Sequence, residues 1–587
     1  MMRYAAKICF GVLLLPLAAS AGSTITISPV GATVVATQTQ DFVAVVTGTT
    51  NKNVQWKVCN GIGQNCVLGG NSSLGTIADT GLTDAEGNHI GRYTAPAGAP
   101  TSCTPVTGGC QVRVRANLTG SPRRRKKKAF ADATISPLAF VLERVSVATD
   151  GTEGNHTSGY PSVSADGRFV AFGSYASNLV PGDTNGAADV FVRDTCLDAD
   201  PTCVPSTALV SVASDGTQGN AMSDYPSISA DGRFVAFYSQ ASDLVPDDTN
   251  PFSDIFVRDT CQGADPSCVP STALVSVASD GTHANHSSSG ASISADGRFV
   301  AFESSATNLV QGDTNGIMND VFVRDTCVGA TDCVPSALRA SLSSDGTQVD
   351  NFTWAASISA NGRIVVFKSY ANNLVPDDTN DSTDVFVRDT CQGAAFGCTP
   401  STLRVSVADD GAQGNSYSYS WAGSLSADGR FVAFDSYSRN LVPGDTNVTR
   451  DVFVRDTCLG AADCVPSTLR VSVASDGSQG YYESYNASIS ADGRFVAFLS
   501  WANNLVPGDA NTAPDVFVRD TCVGATDCVP STLRVSVASN GTQANYNSYY
   551  ASISADGRFV AFDSRASNLV AGDTNNHSDI FLARTGH

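Results

Sequence analysis

Short runs such as ASIS, RFVAF, DVFVRD and RVSVAS recur along the chain, with apolar and polar positions alternating at a period of two and with many Val, Phe and Ile. That period and those residue types predict β-strands. The phrase SADGRFVAF returns around Asp166, Asp231, Asp296, Asn361, Asp428, Asp492 and Asp556, at spacings of 64 to 67 residues. Every copy has one order: an alternating segment like RVSVAS, a variable loop, ASISADG, RFVAFxS, a loop like NLVPGDTN, then DVFVRDT. Each copy therefore predicts four short strands, a (ASIS), b (RFVAF), c (DVFVRD) and d (RVSVAS), with ADGR as the tight turn between a and b.

A single four-stranded unit cannot bury both of its faces, whereas units packed around an axis can. The chain is thus expected to be all-β, with residues 142–587 forming a seven-bladed β-propeller and strand a innermost. The repeats open with a d strand at Arg144 to Ala148 and end with a c strand at Asp579 to Leu582. The opening strand can complete the last blade, closing the ring and removing two free sheet edges.

The repeat resembles the TolB-type, WD-like propeller family, whose blades carry an SPDG(x)xIAF phrase matched here by SADGRFVAF. The Pro of that phrase is Ala here, and the fourth copy has Asn361 for Asp. The resemblance implies a fold, and it covers scaffold proteins and the non-catalytic domains of some peptidases. The Asp-Gly of the phrase reads as a turn device.

Residues 1–21 read as a secretory signal, with Arg3 and Lys7 before the apolar stretch Phe10 to Leu17 and small residues at Ala19-Ser20-Ala21. Export to the periplasm, cell surface or medium is expected, with no membrane span in the mature chain. Apart from Cys9, the cysteines form eight close pairs, which an exported chain oxidises to disulfides. The pairs are Cys59 with Cys66, Cys103 with Cys110, Cys196 with Cys203, Cys261 with Cys268, Cys327 with Cys333, Cys391 with Cys398, Cys458 with Cys464, and Cys522 with Cys528. The last six lie between strands c and d, and the blade cut by the chain ends has none.

Residues 24–137 contain the runs TITISPV, DFVAVVTG, VQWKVC and QVRVRANL, which suggest a β-sandwich. The run NVQWKV…GGNSSLGTI…GRYTAPAGAP resembles bacterial Ig-like domains. Its two cysteine pairs suggest hairpin staples, with cross-pairing left open. Six consecutive basic residues, Arg123 to Lys128, form either a solvated hairpin tip or an attachment point for anionic groups.

With 42% hydrophobic and 16% charged residues the chain has material for a core, and its net charge of −20 excludes nucleic acid as a partner. Strand direction alternates, so the d to a and b to c loops share one propeller face, opposite the cysteine hairpins and the entry of the Ig-like domain. The d to a segments carry Tyr160, Tyr225, His283, His286, Trp354, Tyr419, Trp421, Tyr482, Tyr485, Tyr546 and Tyr550. Flat rings with polar tips suit sugar or protein contact, or else pack into the channel mouth.

The b to c loops of the same face repeat D-x-N-x-x-x-D. They hold Asp183, Asn185 and Asp189; Asp248, Asn250 and Asp254; Asp313, Asn315 and, one residue later, Asp320; Asp378, Asn380 and Asp384; Asp445, Asn447 and Asp451; and Asp573, Asn575 and Asp579. Asp509-Ala510-Asn511 departs from the wording of the others. Oxygen ligands at this spacing could hold Ca2+, and equally these side chains could cap turns. No G-x-S-x-G or HExxH occurs, and no catalytic set is assigned. The expected function is a non-enzymatic binding or scaffold protein, monomeric, with a protein or polysaccharide partner. The alternatives are a carbohydrate-active hydrolase or lyase using the open face near His283 and His286, and a spacer stiffened by calcium.

Overall fold

The structure is a computed structural model that describes residues 142–586, apart from positions 249, 395–396, 420–424 and 527, together with the backbone of ten strands between residues 24 and 136. The chain divides into two units, residues 1–139 and 140–585. In the first unit the strands pair into two five-stranded sheets, one containing Thr24–Ser28, Thr39–Thr47 and His89–Thr94, the other Val54–Asn60, Cys110–Leu118 and Lys128–Ser136. The signal segment and the basic side chains from Arg123 to Lys128 lie outside what is described. So do two of the eight expected bridges, that of Cys59 with Cys66 and that of Cys103 with Cys110.

The second unit is all-β and forms seven four-stranded antiparallel blades. Blades 1 to 6 span residues 158–209, 223–274, 288–339, 353–404, 418–470 and 484–534. Blade 7 takes strands a to c from residues 548–584 and strand d from Leu142–Arg144 at the other end of the repeats, as expected. Leu142 pairs with Ala583 and Arg144 with Phe581. A circle of backbone hydrogen bonds seals the ring at the a to b turns. Ala165 N–H donates to Ala230 O, and the relay passes through Ala295, Ala360, Ala427, Ala491 and Ala555 back to Ala165 O, at 2.9 to 3.1 Å.

The phrase SADGR builds its turn as its chemistry dictates. Asp166 Oδ1 accepts from Ser164 Oγ (2.7 Å) and Arg168 N (3.0 Å), while Ser164 Oγ accepts from Phe169 N (2.9 Å). Asn361 Oδ1 serves equally in blade 4, because the role needs an acceptor and no charge. Gly232 has φ +78°, and a Cβ there would stand 2.2 Å from the Phe169 ring of the preceding blade. The turn is therefore also the contact between blades.

Strand d differs from its expected position. It runs over Ser206–Leu209 in blade 1, and the VSVAS segment after it leaves the sheet. The cause is Ser211, whose Oγ donates to Asp189 Oδ1 (2.6 Å) and accepts from Val190 N (3.1 Å), replacing the next ladder bond with a side chain. Ser146 does the same for Asp579 and Ile580, so the strand expected at Arg144 to Ala148 ends at Arg144.

The core repeats with the blades. Phe172 and Phe191 stack 5.9 Å apart and are fully buried, and the other six blades hold the same pair. Burying each ring contributes about 1.5–3 kcal/mol. Toward the cysteine face, Arg168 forks onto Asp194 at 2.8 and 2.7 Å, and Asp194 also accepts from Cys196 N.

All six expected c to d disulfides are formed: Cys196 with Cys203, Cys261 with Cys268, Cys327 with Cys333, Cys391 with Cys398, Cys458 with Cys464, and Cys522 with Cys528, their Cα atoms 5.6 to 5.8 Å apart. They do more than staple a hairpin. The Sγ of Cys528 lies 3.5 Å from Arg494 Nη2 and 3.6 Å from Asp520 Oδ2, so the bridge also packs against the Arg–Asp fork of its own blade. The sulfur of Cys203 holds the same place beside Arg168 and Asp194.

Candidate functional site

Strand a of six blades carries a bulge near its middle. The residue at the bulge has positive φ: Tyr160 (54°), Tyr225 (53°), Gly290 (64°), Ala355 (54°), Asn486 (54°) and Tyr550 (37°). This left-handed backbone is costly for a tyrosine, and such strain gathers at functional sites. These residues all line one cavity of about 970 Å3 at the centre of the ring. Its walls descend through Ser162, Ser227, Ser292, Ser357, Ser488 and Ser552 to an aliphatic ring of Val163, Ile228, Ile293, Ile358, Leu425, Ile489 and Ile553. The shape is a funnel with polar walls and an apolar throat.

The fifth position of strand b varies while its neighbours repeat: Gly173, Tyr238, Glu303, Lys368, Asp435, Leu499 and Asp563. It pairs across the strands with the second residue of strand a, giving Trp354 with Lys368, Tyr419 with Asp435 and Tyr485 with Leu499. Sequence reasoning missed these residues, although the one changing letter of FVAFxS was the available signal. Glu303 and Lys368 line the funnel.

From Glu303 and Lys368 in the wall, a chain of alternating charges continues outside the lining through Asp435 and Arg450. Arg450 Nε donates to Asp435 Oδ2, and its guanidinium lies 4.7 Å from the Tyr419 ring and 4.8 Å from the Tyr485 ring. Lys368 Nζ lies 5.2 Å from the Tyr419 ring and 5.9 Å from that of Trp354. Burial pushes the Glu303 carboxyl up to about 7 against the pull of Lys368. Burial raises Asp435 too, against Arg450, and lowers Lys368.

The wall from blades 7, 1 and 2 is a tyrosine cluster. The Tyr160 ring lies 4.2 Å from Tyr225 and 4.5 Å from Tyr550, and the Tyr225 hydroxyl donates to that of Tyr160 at 3.2 Å. Burial, then these neighbours, pushes the Tyr160 phenol upward. Asp224 and Asp563 belong to this side, and burial lifts them to about 6 and about 7.

Of the residues expected on the binding face, Tyr160, Tyr225, Trp354, Tyr419 and Tyr550 line the funnel, whereas Tyr485 does not and lies under the Arg450 guanidinium that also covers Tyr419. Tyr482 and Tyr546 are exposed outside it. His283 and His286 do not line it. His286 stacks on Phe252 at 4.7 Å and contacts Ser305 Oγ at 2.9 Å, and the carbonyl of His283 accepts from Asn308. Trp421 lies outside the described residues.

The Asp–Asn loops are hydrogen-bonded turns on the outer part of the same blades. Asn185 Nδ2 donates to Asp189 Oδ2 (2.9 Å) and Asn185 Oδ1 accepts from Ala187 N. Gln218 Nε2 donates to both Asp183 (2.8 Å) and Asp189 (2.9 Å). In blades 3 to 7 an arginine of strand d adds a guanidinium beside both carboxylates. Arg404 lies 3.1 Å from Asp378 and 3.5 Å from Asp384, with Arg339, Arg470, Arg534 and Arg144 in the matching places. Blades 1 and 2 have Leu209 and Leu274 there.

No family model matches the chain, and no curated protein matches it. Among solved structures, two chains titled marsupial T cell receptor are similar at 7% and 11% identity, each covering 43% of this chain and 98% and 100% of their own, with a TM-score of 0.14 in both cases. A score that low carries no argument. Closed seven-bladed topology and six disulfides fit an extracellular binding or scaffold protein.

Proposed function

We propose that the chain is a non-enzymatic exported binding protein whose propeller draws the end of a polysaccharide chain into the central funnel. The observation that carries this reading is the convergence of the variable residues. On blades that otherwise repeat, the bulge of strand a and the fifth residue of strand b change, and the bulge residues together with Tyr238, Glu303 and Lys368 of the second set line one cavity, beside Trp354, Tyr370 and Tyr419. Aromatic faces stack on sugar rings while serine, glutamate and lysine groups bond hydroxyls. A concave cavity of about 970 Å3 suits a chain end better than a flat protein surface does. Calcium has no part in this reading, because blades 3 to 7 supply a guanidinium to the Asp–Asn loops.

The first unit is read as an Ig-like spacer, supported by its two five-stranded sheets, and the propeller as TolB-like, supported by the SADGRFVAF phrase. Retention of the whole chain on an array of polysaccharides tests the function. Trp354→Ala should weaken retention at least about tenfold while leaving the melting temperature unchanged. Retention that is identical in the variant, or none on any glycan, overturns the reading.

A further inference from the structure

The two walls of the funnel share their materials and differ in one component. In blades 3 to 6 the rings of Trp354, Tyr419 and Tyr485 face the chain's own cations, Lys368 and Arg450, which sit against the carboxylates of Glu303 and Asp435. In blades 7, 1 and 2 there are again rings and carboxylates. Among the described residues, however, no lysine or arginine stacks on Tyr160 or Tyr225.

The carboxylates on that side are held out of water with little compensation. Asp563 is 5% exposed; its Oδ2 accepts from Ser578 Oγ at 3.0 Å, and its Oδ1 has no hydrogen-bond partner. It sits close enough to Tyr550 for its charge to bear on that phenol. Asp224 is 6% exposed, fills the space left by Gly173 at the variable position of blade 1, and accepts from Tyr225 N at 2.8 Å. Ring faces attract a cation, and a buried carboxylate gains from one; Asp563 feels a partial pull from Arg565, whereas burial and the Tyr225 N–H are what bear on Asp224.

We propose that the tyrosine wall formed by Tyr550, Tyr160 and Tyr225 receives a protonated amino group of an amino-sugar polysaccharide, taking the place that Lys368 and Arg450 occupy on the opposite side. The proposal rests on the polysaccharide reading above and names the class of sugar. A cavity of about 970 Å3 lies at the upper end of the range for small-ligand sites and has room for sugar rings, far beyond the narrow stem of one lysine side chain. The net charge of −20 draws a polycation from a distance.

Calorimetry on the full chain tests this with four probes: a glucosamine oligomer, its fully N-acetylated counterpart of equal length, tetramethylammonium, and a lysine-rich peptide. The glucosamine oligomer should bind at least about tenfold more tightly than the acetylated one. Asp563→Asn should erase that preference while keeping the affinity for the acetylated oligomer, and Tyr225→Leu should erase it while also weakening the binding of both oligomers. Equal affinity for both oligomers overturns the ammonium site and leaves the polysaccharide reading standing. Binding of tetramethylammonium with neither oligomer keeps the ammonium site and overturns the polysaccharide reading. Preference for the lysine-rich peptide overturns the amino-sugar assignment, and no binding of any probe overturns both.

Discussion

The backbone N–H of Ala555 donates to the carbonyl of Ala165, 3.1 Å away, joining the last repeat to the first. That bond completes the inner circle, while Leu142–Arg144 completes the outer edge of the same blade. The ring is closed twice, at its axis and at its rim.

Ser146 anchors the outer closure by donating to Asp579 at 2.5 Å and accepting from Ile580 N at 3.0 Å. Ser146→Ala should lower stability by about 1–3 kcal/mol in guanidinium unfolding, since it strips a buried carboxylate of a donor. An unchanged midpoint would show that the closing strand is held elsewhere.

Asp563→Asn should stabilise the protein at alkaline pH. The carboxyl titrates at about 7 in the folded chain against an ordinary 3.8, so the folded state holds a proton that the unfolded state gives up. Its contribution is fully present below about pH 4 and is lost as pH rises toward about 7. The variant has no such loss, so its melting temperature should exceed that of the parent by a few degrees at pH 8 and match it near pH 4. A difference independent of pH would refute the buried-acid account.

Arg404→Leu copies a state that the chain already contains, because Leu209 and Leu274 occupy the matching positions in blades 1 and 2. Gln413 Nε2 still donates to Asp378 at 2.6 Å and to Asp384 at 3.0 Å. The single change should cost about 1 kcal/mol, and adding Gln413→Ala should cost more than the sum of the separate changes, since the carboxylates then lose their second donor. Strict additivity in a double-mutant cycle would mean that the two donors act independently.

Gly232→Ala should be among the most damaging small changes in the propeller. It places a methyl 2.2 Å from the Phe169 ring and forces a side chain into φ +78°. A loss of roughly 2–4 kcal/mol is expected by chemical unfolding. Coupled Phe169→Leu should recover part of it if the clash is the cause.

Most of the fold could be read from the repeated phrases, because Phe172, Phe191, Asp166 and Gly167 do local work that recurs in other blades. The bridges from Cys196–Cys203 to Cys522–Cys528 were equally legible, since each pair recurs at one place in the repeat, whereas the contact of Cys528 with Arg494 depends on a strand distant in the chain. Strand d was misplaced since RVSVAS alternates well but Ser211 turns its hydroxyl to Asp189 and draws the chain out of register. The funnel was half legible. Its tyrosines stood out as loop aromatics, whereas Glu303, Lys368 and Asp435 sit inside a strand that reads as scaffold, and only their failure to repeat sets them apart. His283 and His286 attracted notice for their chemistry, yet they sit away from the cavity lining.

The closing strand also fixes how the propeller answers to tension. Leu142 pairs with Ala583 and Arg144 with Phe581, so the two chain ends leave this antiparallel pair on the same side. A pull applied through both ends therefore loads its hydrogen bonds one after another, like a zip, instead of all together in shear. The outer rim should give way at low force, and the inner circle from Ala165 to Ala555 would then carry the load.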